Sequence, residues 1–259
     1  MKNEWCKVRF PVFSVTLLLC IVMSVLSCTL YREYRICYDI EAWEIGTELI
    51  DFLFPLLVTL PLCWNLYYEQ KNHFLFYVRP RVKLRRYLWA KWQVQAAGAF
   101  LILFFPYVCS ALFALYVKEP VEPYVPPAEG TAFEHVFLGC FTGTPLLYAV
   151  ILSLWKGILG ILVFTLGFVL ALYEKNIFVI LTGPFIYAVL ENFILSVLRL
   201  EKYRLIVSFA PTSVAADAYT WVSAVCGPAL LLFVIGILWL YKTKLRRYSN
   251  FKQQYPRSA

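Results

Sequence analysis

The chain has 259 residues, of which 61% are hydrophobic and only 15% are charged, and its mean hydropathy is +0.67. A soluble globular domain contains roughly 45–50% apolar residues, so this composition excludes an ordinary water-soluble domain. The formal net charge of +8 lies in short segments between apolar runs, which argues against a nucleic-acid-binding domain. We predict an all-α polytopic membrane protein with no nucleic-acid partner.

The apolar runs predict six membrane-spanning helices within a single transmembrane domain, residues 1–259. Their approximate bounds are 10–30, 49–68, 93–117, 146–172, 177–198 and 219–241. Positive charge resists translocation, and 17 Lys and Arg residues flank these runs on one side against 6 on the other. We therefore predict that both termini are cytoplasmic and that the basic loops contact anionic membrane lipids.

The first apolar run has an alternative interpretation as a signal peptide. Basic residues precede it, and Val25–Cys28 resembles a lipoprotein cleavage box. The run is longer than the apolar core of a usual signal peptide. We interpret it as the first spanning helix.

The cysteines and histidines indicate neither a disulfide framework nor a metal site. The 8 cysteines fall mostly inside or beside the predicted spans, without a Cys-x-x-Cys pair. His73 and His135 lie in loops that the predicted topology places on opposite sides of the membrane. We expect no metal and no cofactor.

Turn-forming residues divide the second half of the chain. The sequence Thr142–Pro145 predicts a short interfacial segment before span four. Only Glu174–Asn176 separate spans four and five, which predicts a tight antiparallel hairpin. Gly183 and Pro184 predict a kink or a local unwinding of span five.

The predicted cytoplasmic loop 69–92 has helical apolar spacing on both sides of Pro80. The apolar positions are Phe74, Tyr77 and Val78 before the proline and Leu84, Tyr87, Leu88 and Trp92 after it. The cationic positions are Arg81, Lys83, Arg85 and Arg86. We predict a short amphipathic helix, a turn and a second helix that continues into span three. Such an element either lies on anionic lipid or docks a partner.

The loop resembles the first intracellular loop of ABC type-2 permeases, the membrane subunits of ABC exporters. In that family a Glu ends span two, a Pro with basic residues follows, and Ala/Gly-Lys opens span three. The matching residues here are Glu69, Pro80, Arg85, Arg86, Ala90 and Lys91, whereas His73 stands where the family usually has Gly. The six-span layout extends the resemblance to nearly the whole chain. Further matching segments are Glu174-Lys175-Asn176, Gly183-Pro184-Phe185, Ala210-Pro211 and the basic tail Lys242–Arg247.

The resemblance implies a permease that is not itself an enzyme and that works with a separate ATP-binding subunit. The sequence contains no Gly-x-x-x-x-Gly-Lys-Ser/Thr motif. The resemblance also implies a second copy or a homologous permease, outward transport and a bacterial plasma membrane, and it leaves the substrate open. The implied docking residues are Glu69, Phe74, Tyr77, Val78, Pro80, Leu84, Arg85 and Arg86.

Two charged residues, Lys156 and Glu191, lie deep within predicted spans four and five, at similar distances from the cytoplasmic turn. A charge near the bilayer centre costs about 2.5–3.5 kcal/mol on insertion scales. We hypothesise that the two side chains form an ion pair. The alternative is that Lys156 snorkels to the outer interface while a hydrated cavity holds Glu191.

Other classes of membrane protein remain open. The substrate-binding component of a vitamin-type importer also has about six spans, but it predicts a polar cavity at the outer side and no docking helix in loop 69–92. An intramembrane enzyme requires convergent catalytic groups, and the spans contain no histidine. A single-chain carrier is disfavoured because the two halves show no repeat.

Overall fold

The structure, a computed structural model, describes residues 2–72, 83–119, 137–214 and 219–254. Eight α-helices are found within these ranges. They are α1 (Lys2–Thr29), α2 (Glu41–Lys71), α3 (Leu84–Tyr116), α4 (Leu138–Gly143), α5 (Pro145–Tyr173), α6 (Ile177–Val197), α7 (Leu205–Phe209) and α8 (Trp221–Gln254).

Six of these helices, namely α1, α2, α3, α5, α6 and α8, are long and apolar enough to cross a membrane. This confirms the prediction of an all-α polytopic membrane protein with six spans. An even number of spans puts both chain ends on the same side of the bilayer. The assignment of that side to the cytoplasm continues to depend on the distribution of Lys and Arg.

The predicted breaks in the second half correspond to observed helix ends. α4 forms the short segment before span four, and Pro145 occupies the first turn of α5, where its missing N–H costs nothing. The hairpin between α5 and α6 turns at 174–176, where Asn176 Oδ1 accepts a hydrogen bond of 3.0 Å from the Phe178 N–H. α3 begins at Leu84 and continues into span three, as predicted for the second part of loop 69–92.

Small residues let the long helices approach closely. A Cβ atom on Gly46 of α2 would lie 2.5 Å from Ser27 Cα of α1. On α5, a Cβ atom on Gly160 would lie 2.6 Å from Leu103 Cδ1 of α3. Lipid supplies no hydrophobic force between spans, so association depends on such close contact. α3 therefore packs against α1 on one face and against α5 on another.

The connection between α6 and α8 folds back into the bundle. The predicted spans 177–198 and 219–241 leave residues 199–218 as a connecting loop outside the membrane, which is wrong for α7, where Leu205, Val207 and Phe209 are buried. The Phe209 ring stacks on Phe54 of α2 at 3.8 Å. Irregular backbone is tolerated at membrane depth only where protein surrounds it. α7 meets this condition because α2, α5 and α8 contact it.

Candidate functional site

One cluster of charges joins three helices where α2 ends and α3 begins. Glu69, in the last turn of α2, accepts a hydrogen bond from Lys7 Nζ of α1 at 3.1 Å. The same carboxylate accepts a 3.0 Å hydrogen bond from the Tyr87 hydroxyl and pairs with Lys91 Nζ, both on α3. We call Glu69, Lys7, Tyr87 and Lys91 the loop-end cluster. It ties α1, α2 and α3 together where the chain leaves and re-enters the bundle.

The loop-end cluster is only partly shielded from solvent. The Lys91 side chain is 2% exposed, whereas the side chains of Glu69 and Lys7 are 15% and 41% exposed. Lys7 is therefore the member of the cluster that is most open to solvent, and Lys91 is the most buried.

The predicted docking residues fall into three groups. Glu69 belongs to the loop-end cluster, and Arg85 and Arg86 are exposed on the first turn of α3. The residues Phe74, Tyr77, Val78 and Pro80 lie outside the described residues. Leu84 is the first residue of α3, but its side chain also lies outside the description. The predicted docking ridge therefore stays a prediction.

A second cluster of charges is buried between the spans. Lys156 Nζ of α5 lies 2.8 Å from both carboxylate oxygens of Asp51 on α2. The Tyr107 hydroxyl of α3 donates a hydrogen bond to the same carboxylate. Lys156, Asp51 and Tyr107 are 2%, 6% and 0% exposed. We call these three residues the intramembrane cluster.

Aromatic rings surround the ammonium group of Lys156. Its Nζ atom lies 4.1 Å from the ring centre of Tyr107, 4.9 Å from that of Phe209 and 5.6 Å from that of Trp43. The faces of such rings carry partial negative charge, which stabilises a cation removed from water. Trp43 is fixed in turn, because its Nε1 donates to the Tyr107 carbonyl at 3.1 Å and to Ser110 Oγ at 3.0 Å. This packing leaves the cluster closed to a ligand.

The hypothesis of a Lys156–Glu191 ion pair is wrong, because each side chain has another partner. Lys156 pairs with Asp51, which lies at a similar depth on a different helix. Both carboxylate oxygens of Glu191 lie 3.2 Å from the Leu205 backbone nitrogen, whose N–H they accept. Glu191 therefore caps the start of α7. Both residues are buried, so neither snorkelling nor a hydrated cavity describes them.

Sequence reasoning missed Asp51, although a signal for it exists. The predicted span began at residue 49, which left Asp51 near the end of the helix, whereas α2 begins at Glu41. Asp51 lies 18 residues before Glu69, or about 27 Å along the helix. Lys156 lies 17 residues before Tyr173, or about 26 Å. Comparison of depths across all spans, rather than across the α5–α6 hairpin alone, would have paired them.

The prediction for Gly183 and Pro184 is partly wrong. α6 is helical over the whole of Ile177–Val197, so it does not unwind at these residues. A Cβ atom on Gly183 would lie 2.7 Å from Leu170 Cδ1 of α5, so a larger residue there would require the Leu170 side chain to move. The Thr59 hydroxyl of α2 donates to the Leu181 carbonyl at 2.9 Å, next to the proline. A kink at Pro184 stays a prediction.

No protein-family model, curated protein or solved structure matches the chain. The interpretation of the two clusters therefore depends on their geometry. The intramembrane cluster is closed and fixes three spans to one another. The loop-end cluster is open at one edge and adjoins a basic loop, so it is the candidate site for contact with a partner.

Proposed function

We propose that the chain is the membrane-spanning permease subunit of an ABC transporter whose ATP-binding subunit is a separate polypeptide. The observation that carries the proposal is the loop-end cluster, which fixes both ends of the basic loop to the bundle. Glu69 and Lys91, the two charged residues at the loop ends in the family resemblance, pair with each other. The order of motifs along the six spans supports the same assignment.

A loop with fixed ends transmits force, whereas a flexible linker absorbs it. α3 is continuous from Leu84 to Tyr116, so a push on its first turn moves the whole span. The pairs that Glu69 makes with Lys7 and Lys91 carry the same displacement to α1 and α2. Closure of an ATPase against the loop would therefore shift three of the six spans together.

The remaining assignments follow from the resemblance and the charge distribution. A six-span permease is half of the usual membrane assembly, so we propose a second copy or a homologous permease beside this chain. We propose a bacterial plasma membrane with the loop on the cytoplasmic side and transport directed outward. The substrate class stays open.

The test is co-purification in mild detergent after expression with the neighbouring genes. We expect a Walker-motif ATPase to copurify with the chain. Charging the predicted ridge by Phe74→Glu with Tyr77→Glu should detach it, because an apolar ridge in a groove does not tolerate buried carboxylates.

The control is Phe178→Glu, which adds a carboxylate to an apolar side chain that is 73% exposed, beside the other short loop on the same predicted side. The ATPase should remain bound to this variant. If no ATPase copurifies with the well-folded wild-type chain, or if both variants release it equally, the proposal is overturned.

A further inference from the structure

A groove opens between three helices at the end of the bundle that contains the loop-end cluster. Its volume is about 1090 Å³, and residues of α3, α5 and α8 line it. Apolar side chains form most of its walls, including Leu88 and Trp92 of α3, Phe168 and Leu172 of α5, and Leu232 and Ile235 of α8. The Trp92 Nε1–H is satisfied by Thr165 Oγ1 at 3.1 Å, so this wall presents an apolar surface to the groove.

The height of the groove matches one leaflet of a bilayer. On α5 the lining runs from Thr165 to Tyr173, and on α8 it runs from Leu232 to Leu240. Eight residues of α-helix span about 12 Å. Half of a typical hydrocarbon core is about 15 Å. The apolar part of the groove therefore covers most of the hydrocarbon half of one leaflet.

Three cations stand at the polar end of the groove. Lys83, Arg85 and Arg86, at the start of α3, belong to its lining and are exposed. Within the part of the chain that the structure describes, no ion pair is found for them and no Asp or Glu lines the groove. Trp89 and Trp239 also lie on the lining, and tryptophan prefers the boundary between headgroups and acyl chains. The charge pattern is complementary to a phosphate above an apolar chain.

We propose that this groove binds an anionic phospholipid of the leaflet on the side of loop 69–92, with its acyl chains between α3, α5 and α8. The phosphate lies against Arg85, Arg86 and Lys83. A zwitterionic lipid of the same chain length lacks the net charge that these cations attract. The site shares Arg85 and Arg86 with the predicted docking residues, but its walls contain no residue of the loop-end cluster, and lipid binding to the purified chain requires no ATPase.

Gly236 supplies a way to fill the groove without disturbing the helices. It lies on the lining, and a Cβ atom added there would meet nothing within 4 Å. Gly236→Phe should therefore place a ring in the space of an acyl chain. The matched control is Val225→Phe, which adds an aromatic ring to α8 at a side chain that is 54% exposed and outside the lining.

The experiment is native mass spectrometry of the purified chain with phosphatidylglycerol or phosphatidylcholine of identical acyl chains. We expect phosphatidylglycerol to be retained preferentially, and Gly236→Phe to remove that preference while Val225→Phe keeps it. Each cation at a membrane surface contributes a factor of about five in affinity, so Arg85→Gln with Arg86→Gln should weaken retention more than tenfold. Lys175→Gln, an exposed cation on the same predicted side, should change it little.

A phosphatidylglycerol with a photoreactive acyl chain tests the position of the lipid. Cross-links should map to α3, α5 and α8 and should disappear in Gly236→Phe. Equal retention of both lipids, or unchanged retention by a folded Gly236→Phe variant, overturns the proposal. Loss of these cross-links whenever the native mass spectrum shows the chain as a dimer would assign the groove to a dimer interface and also overturn it. Neither result would affect the ATPase copurification.

Discussion

The two charged clusters use the same chemistry in different surroundings. Each joins a carboxylate on α2 to a lysine on another helix, and each adds a tyrosine hydroxyl from α3. The Asp51–Lys156 pair has side-chain exposures of 8% and 2%, and three aromatic rings surround the ammonium group. At the loop-end cluster Lys91 is as buried as Lys156, but Glu69 also binds Lys7, whose side chain is 41% exposed.

This difference in exposure predicts that breaking the two clusters has different costs in stability. Breaking a buried pair strands a charge in a low-dielectric interior, so the intramembrane cluster has only one favourable arrangement. At the loop-end cluster Lys7 is 41% exposed, so water can replace this partner of Glu69 at lower cost. Both clusters thus fix the helices that they join, but only the loop-end cluster includes a charge that is open to solvent.

The largest expected effect comes from breaking the buried pair. Lys156→Met leaves the Asp51 carboxylate buried without its cation, and we expect a loss of about 3–5 kcal/mol in the free energy of unfolding. Unfolding of the purified chain in mixed micelles, followed by tryptophan fluorescence, measures this loss. The double variant Asp51→Leu with Lys156→Met should recover most of it, because neither charge then remains.

A double variant no more stable than Lys156→Met would contradict this view of the intramembrane cluster. The corrected pairing has its own check. Effects of Lys156→Met and Glu191→Gln should add, because the two residues share no partner. Strong non-additivity would instead support an ion pair between Lys156 and Glu191.

A second prediction concerns α7, whose Phe209 forms part of the wall around Lys156. A Cβ atom on Gly227 of α8 would lie 2.7 Å from Leu205 Cα, where backbone cannot yield easily. We expect Gly227→Ala to destabilise the chain by about 1–3 kcal/mol. Gly236→Ala, on the same helix with open space around it, should be neutral or stabilising by up to about 1 kcal/mol. Equal thermal stability of the two variants in detergent would mean that α7 does not pack as described.

The loop-end cluster should give a smaller response that depends on salt. Lys7→Met removes the exposed cation of the cluster and leaves Glu69 with Lys91 and Tyr87, so we expect a loss of up to about 1 kcal/mol. Surface-accessible charges are screened by salt, whereas buried charges are screened much less. Raising the ionic strength from about 0.05 to 0.5 M should therefore reduce the effect of Lys7→Met and leave that of Lys156→Met nearly unchanged. Identical salt dependence of the two variants would remove the distinction between the clusters.

The smallest expected difference lies between two tyrosines. Tyr107→Phe removes a buried hydroxyl that donates to Asp51, and we expect a loss of about 1 kcal/mol. Tyr87→Phe removes the corresponding hydroxyl at Glu69, where water can replace it, and should cost less than about 0.5 kcal/mol. The same micellar unfolding measurement compares them. A larger effect at Tyr87 would indicate that the loop-end cluster is the more rigid of the two.

The elements that sequence reasoning predicted are those set by local signals. The lengths of the apolar runs predicted the six spans. Pro145 marked the start of α5, and Glu174–Asn176 marked the hairpin turn. These signals act within one helix or between chain neighbours, where hydropathy and backbone chemistry decide the outcome.

The elements that sequence reasoning missed depend on contacts between distant helices. Asp51 and Lys156 are 105 residues apart, and the local sequence around either residue does not indicate its partner. The return of α7 into the bundle depends on Glu191, which binds the Leu205 N–H, and on the backbone of α8, which accepts a hydrogen bond from the Ser208 hydroxyl. Neither contact leaves a periodic pattern. A charged residue within an apolar run was the one available signal.

The spacing of the buried pair also sets a waiting time during synthesis. Asp51 enters the membrane with α2, while Lys156 is translated 105 residues later. At roughly 5–20 residues per second, the carboxylate waits about 5–20 s for its cation. Throughout that interval the growing chain must hold an acidic group that its own later sequence has yet to neutralise. The Asp51–Lys156 contact between α2 and α5 can therefore form only after α5 has been synthesised and inserted.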